Sequence, residues 1–232
     1  MMNHVRSILW KQLKDTLKNT AILIQFIMFP CMTIIMENAV KIPNMQEHFF
    51  ANLFAVMYIG MAPLTSMSAI ISEEKESNTL RVLRMYNMKA HSYFLGNAIY
   101  IISICMGGSL IIGIAGGYQG IALVRFMVIM LIGHVISMFV GAAIGAGCKN
   151  QMMATSLSVP IMMLASFLPM LSTFNGTIEK ISKTIYTEQL YLLMNKTADS
   201  IVWVETITVL IVNVCLIAGC FSIAYRHAFK ED

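Results

Sequence analysis

Polar and apolar positions along this 232-residue chain are segregated into long blocks rather than interleaved. Six windows hold no Asp, Glu, Lys or Arg: 19–36, 48–72, 90–124, 126–148, 150–178 and 206–225. A hydrocarbon core of roughly 30 Å takes about 20 helical residues at about 1.5 Å each, so each window is about the length of one bilayer crossing. Only helices and closed barrels satisfy their backbone polar groups in lipid, and the windows lack the alternation of strands. The pattern predicts an all-α membrane protein with six spans, at 21–36, 49–71, 93–116, 126–147, 152–171 and 201–225. Pro30 lies inside the first span, Gly60 and Pro63 inside the second, and kinks are expected at both prolines.

Between the spans, residues 1–19 read as an amphipathic interface helix, 73–89 as a charged block with its own short helix, and 172–200 as an outer segment. Val5, Ile8, Leu9, Leu13 and Leu17 share one helical face, Lys11, Lys14 and Lys18 the opposite one, with Trp10 at the boundary. A solvated lead into the first span is the plainer alternative. No small-residue cleavage pattern follows the first apolar run, so that span is expected to stay. In the fourth span Gly141, Ala142, Gly145 and Gly147 form a small-residue stripe that lets another helix approach, here expected within the same chain. The nearby run GAAIGAGCKN lacks the spacing of a phosphate loop.

Composition sharpens this picture. Charged residues are 12% of the chain, half the share in soluble domains, so the whole chain is expected to be one transmembrane domain, 1–232, without a soluble catalytic unit. Cationic loops stay on the cytoplasmic side. Eleven Lys and Arg fall on the face that carries both termini, against Lys41, Arg125, Lys180, Lys183 and Lys196 on the other. Both termini are thus expected inside, and the net charge of +4 reflects topology rather than nucleic-acid binding. Cys31, Cys105, Cys148, Cys215 and Cys220 are scattered singly and suggest neither a disulfide framework nor a metal site. The 21 methionines suit adaptable apolar surfaces or ordinary packing.

The charges also exclude chemistry. A carrier driven by protons or sodium needs ionisable groups deep in its bundle, and the spans hold no deep carboxylate. His134 alone lies well inside a span; it reads as a neutral packing group bonded to a neighbouring helix, or as a proton relay. HExxH and GxSxG are absent, so no enzyme is expected.

Residues 72–89 read SEEKESNTLRVLRMYNMK directly after the second span. Leu80, Leu83 and Tyr86 can share a helical face beside Arg81 and Arg84, which suits docking into a partner's groove or an ordinary loop. The block resembles the segment after the second span in membrane subunits of type-2 ABC exporters, an acidic, basic, acidic cluster followed by Gly-Thr-Leu and a short helix. Glu73, Glu74, Lys75, Glu76, Thr79, Leu80, Arg81, Leu83 and Arg84 carry that resemblance. Asn78 stands where the family has glycine, and Tyr86 and Asn87 where a Ser-Pro is usual.

The resemblance implies a bacterial half-size permease in the plasma membrane, a homodimer or paired with a sister permease, powered by two separate ATPase subunits that bind ATP and Mg. Those nine residues would be the coupling helix seated on the ATPase. It further implies a path lined by spans two and five, here Met57, Met61, Thr65, Ser66, Thr155, Ser158 and Met162. Few charges and many methionines favour an amphipathic or hydrophobic cargo such as a peptide toxin, bacteriocin or drug. In the outer segment, Ile178, Ile181, Ile185 and Leu190 to Met194 would fold into short helices, their apolar sides dipping into lipid or meeting a partner protomer. Two other classes fit the membrane architecture: a gradient-driven carrier or channel, and a non-transporting immunity or sensory subunit.

Overall fold

The computed structural model describes residues 10–16, 19–40, 47–79, 85, 90–195 and 200–230, and all regular structure among them is helical. After a helical stretch at 10–16 come α1 (Thr20–Ala39), α2 (Phe49–Glu76), α3 (Ala90–Ala115), α4 (Gly120–Gly147), α5 (Gln151–Ser172), α6 (Gly176–Ser182), α7 (Tyr186–Asn195) and α8 (Ser200–Lys230). Among the described residues, α1 to α5 supply five stretches long and apolar enough to cross a bilayer. The described apolar part of α8, Thr206–Ser222, is shorter; the sixth expected span, 201–225, falls on this helix.

Local chemistry moves two of the expected bounds. α4 begins at Gly120 rather than 126, because Gly117 and Gly120 adopt φ of +80° and +53° and close the turn tightly. Arg125 therefore lies inside the helix, and its Nη2 donates to Leu193 O of α7 at 3.2 Å. α2 runs past 71 to Glu76, so the charged head of the 73–89 block is the last turn of a span. Its end is capped by backbone bonds from Ser77 N to Glu73 O (2.9 Å) and from Asn78 N to Lys75 O (3.2 Å). Asn78 holds φ +56°, the left-handed position where helices favour glycine and tolerate asparagine.

The helices pack around α2. Its apolar window is 83% buried inside the protein, against 22% for α1 and 28% for α5, and it touches α1, α3, α4, α5 and α7. Lipid is as apolar as leucine, so burial alone does not hold such a bundle; close packing and hydrogen bonds do. Small residues supply the approach. A Cβ added at Gly141 would lie 2.9 Å from Leu64 C, and one at Gly145 would lie 2.8 Å from Ser68 O. Gly141 and Gly145 of the α4 stripe thus face the α2 backbone, while a Cβ at Gly147 would meet nothing within 4 Å. Opposite, Gly60 of α2 lies against Ala165 and Ser166 of α5, where an added Cβ would sit 3.0 Å from the backbone, and Ser166 Oγ donates to Met57 O at 3.2 Å.

The 172–195 part of the expected outer segment folds into α6 and α7. Asn175 caps α6 by accepting from Thr177 N at 2.9 Å. Ile181 is exposed, but Leu190, Tyr191, Leu193 and Met194 are buried. That apolar run turns inward against α2 and α4, rather than outward to lipid or a partner.

Candidate functional site

The C-terminal end of α2 gathers polar contacts to three other elements. Consecutive side chains of its last turn reach three different elements. Glu74, 5% exposed, accepts on Oε1 from Lys11 Nζ and, at 3.1 Å, from Gln12 Nε2, both in the 10–16 helix. Tyr93, at the start of α3, is buried as well. Lys75 Nζ donates to Ala146 O in the last turn of α4 at 3.0 Å. Glu76 Oε2 accepts from Gln151 N, the first residue of α5, at 2.8 Å.

The last two contacts follow helix-end electrostatics: a cation on unpaired carbonyls at a C-terminus, an anion on free N–H groups at an N-terminus. Asn150 completes the α5 cap by accepting from Met153 N at 2.8 Å. Glu73 and Ser77 remain exposed and Thr79 is half-buried. Leu80, Arg81, Leu83 and Arg84 lie outside the described residues.

The 10–16 helix has a face that the two-sided pattern of its sequence did not suggest. Trp10 and Leu13 are exposed, with Lys14 Nζ 5.2 Å from the Trp10 ring centroid. Gln12 and Thr16 are buried, one turn apart and turned to the bundle. Their i, i+4 spacing was the available signal. Val5, Ile8, Leu9, Leu17 and Lys18 lie outside the described residues.

The seven residues expected to line a path do not converge on one open surface. Met57, Ser66 and Ser158 are buried within the protein, Met61, Thr65 and Met162 are half-buried, and Thr155 is exposed. Thr65 Oγ1 donates to Met61 O at 2.8 Å and lies in hydrogen-bond contact with the Gln25 side-chain amide of α1. Ser158 Oγ donates to Ser68 Oγ at 2.8 Å, so its hydroxyl ties α5 to α2. The exposed flank of α5 instead presents Met152, Met153, Leu157, Met163 and Leu164.

His134 is fully buried. Its Nε2 lies 2.8 Å from Ser109 Oγ of α3, and Tyr58 stands edge-on to it with ring centroids 5.5 Å apart. Ser109 Oγ already donates to Cys105 O at 2.8 Å, so Nε2 is the donor in the histidine contact and Nδ1 is the bare nitrogen. Among the described residues Nδ1 meets no partner. This is the geometry of a neutral packing histidine, and a relay would need a second partner at Nδ1.

At the opposite end of the bundle Glu188 of α7 is 2% exposed and accepts from Ser172 Oγ at 2.8 Å. Burial raises its pKa above the usual carboxylate range, opposed by the Ser172 and Ser182 hydroxyls. Among the described residues no three His, Cys, Asp or Glu side chains gather as a metal site.

A family model described as "ABC-2 type transporter" matches residues 3–188. No curated protein matches the chain.

Proposed function

The chain belongs to the ABC-2 type transporter family and is accordingly a permease component of an ABC transporter; we propose that it works as an exporter, driven by two separately encoded ATPase subunits. The ATPase would seat on the block that begins at Glu73, with Thr79, Leu80, Arg81, Leu83 and Arg84 forming the contact. Glu74, Lys75 and Glu76 would hold that block to the bundle. The observation that carries this reading is the last turn of α2, where three successive charged side chains reach the 10–16 helix, α4 and α5. A load placed on this turn has direct routes into the spans.

In this reading α8 is the sixth crossing, both termini face the cytoplasm of a bacterial cell, and two such permeases, identical or sister chains, form the complex. The excess of Lys and Arg on the face of the termini supports the orientation. Cargo would be amphipathic or hydrophobic, a peptide toxin, bacteriocin or drug, because the flank of α5 that would face a partner permease offers methionines and hydroxyls but no charge.

Purification of the tagged chain from its native membrane in mild detergent tests the assembly. A near-stoichiometric ATPase is the expected companion, and Glu74→Lys or Arg81→Glu should abolish permease-stimulated ATP hydrolysis while leaving membrane insertion intact. Absence of an ATPase from an intact, folded preparation would refute the reading.

A further inference from the structure

The turn between α4 and α5 is bracketed by two neighbouring residues of α2. Lys75 holds the last turn of α4 through Ala146 O, and Glu76 holds the first N–H of α5. Two turns deeper, Ser68 repeats the arrangement. Its carbonyl lies against Gly145 of α4, and its hydroxyl receives the bond from Ser158 of α5. The inner end of α2 is therefore tied to the end of α4 and the start of α5 at four points, with Cys148 buried between them. Among the described residues α1 has no such attachment there: its polar links to α2, Gln25 to Thr65 and Glu37 to Ala51 N, lie farther from the charged turn.

We infer that Lys75 and Glu76 gear α5 to the coupling block, so that displacement of the last turn of α2 carries the α4–α5 turn and the start of α5 with it. This rests on the permease reading above and specifies which span receives the motion first. The two residues act as positioning residues: they touch helix ends of their own chain, and cargo and nucleotide would lie elsewhere. Their charges match those ends, so the pair has a direction. Exchanging the two charges would set an anion on carbonyls and a cation on N–H groups.

The permease is purified with its ATPase in lipid nanodiscs, after replacing the exposed Cys31, Cys215 and Cys220. An environment-sensitive fluorophore is placed at Ser77→Cys, on the coupling side, or at Thr155→Cys, one turn into α5; both positions are exposed. With MgATP, the parent is expected to respond at both positions. The double variant Lys75→Ala, Glu76→Ala should keep the response at 77 and lose it at 155, and Lys75→Arg with Glu76→Asp should restore 155.

An undiminished response at 155 in the alanine variant would overturn the gearing. Loss at 77 and 155 together would overturn it too, by showing that the pair serves docking or folding. A parent that binds no ATPase and shows no response at 77 would be a failure of the permease reading itself, distinguishable because it precedes any substitution.

Discussion

Replacing Gly141 by alanine is expected to force α2 and α4 apart. The added methyl would meet Leu64 O, with Leu64 C at 2.9 Å and Leu64 Cα at 3.0 Å. These are backbone atoms of the most deeply buried helix, so no side chain can swing aside. Overpacking costs about 1–3 kcal/mol where side chains absorb it, and rigid backbone places Gly141 at about 3 kcal/mol or more. For a chain of this size that is a fall in Tm of about 6–12 °C.

Gly107 in α3 is the control, since nothing lies within 4 Å of a Cβ added there. Alanine at 107 is expected to gain about 0.5–1 kcal/mol of helix propensity and to raise Tm slightly. Cys105 and Cys148 are buried, so a thiol-reactive fluorogenic dye reports unfolding once Cys31, Cys215 and Cys220 are replaced. Gly141→Ala melting with the parent, or both alanine variants falling alike, would refute the close-approach argument.

Three further outcomes are expected. Lys11→Ala leaves the buried Glu74 carboxylate without its cation, a loss of about 1.5–3 kcal/mol for a charge-assisted hydrogen bond; tryptic cleavage at Lys14 should accelerate, and Lys11→Arg should restore protection. Ser158→Ala removes the hydroxyl bridge to Ser68, but interhelical hydrogen bonds in membranes average about 0.6 kcal/mol, so Tm should fall by only about 1–2 °C; a large fall would show that the contact carries more than the bond. Glu188 has a folded-state pKa raised by burial, so its contribution to stability is greatest below the ordinary carboxylate pKa and declines as pH rises through the raised one. Glu188→Gln should therefore melt above the parent at neutral pH and lose that pH dependence, and parallel pH profiles would remove the buried-carboxylate argument.

Which parts of the fold were legible in the sequence follows from what lipid hides. Charge-free length marks a crossing because a charge in hydrocarbon is costly, and the expected spans at 21–36, 49–71, 93–116, 126–147 and 152–171 each overlap one of α1 to α5. Which helix lies at the centre was not legible: with an apolar exterior, α2 and α4 show no one-sided hydrophobic stripe. The only inward signal was steric, in Gly141 and Gly145. Asn78 was readable as a left-handed residue because few side chains accept that geometry.

The charged turn was recognisable as a block, yet its division of labour was hidden. Glu74, Lys75 and Glu76 point to three elements distant in sequence, and local spacing carries no information about Ala146 or Gln151. Gln12 and Thr16 are hidden for a similar reason: a polar residue on a cationic helix looks like part of its solvated side.

The burial of α2 also bears on how the chain is made. α2 leaves the ribosome before α4 and α5, two of its principal partners. Asn52, Ser66 and Ser68, all buried in the finished protein, must first sit in the bilayer or beside the insertion machinery with no later helix to cover them. Integration of α2 therefore has to rest on its own apolarity and its earlier neighbour α1. A nascent chain stalled before α4 would display these polar groups and the bare Leu64 backbone to quality-control proteases, a natural checkpoint on completion of the bundle.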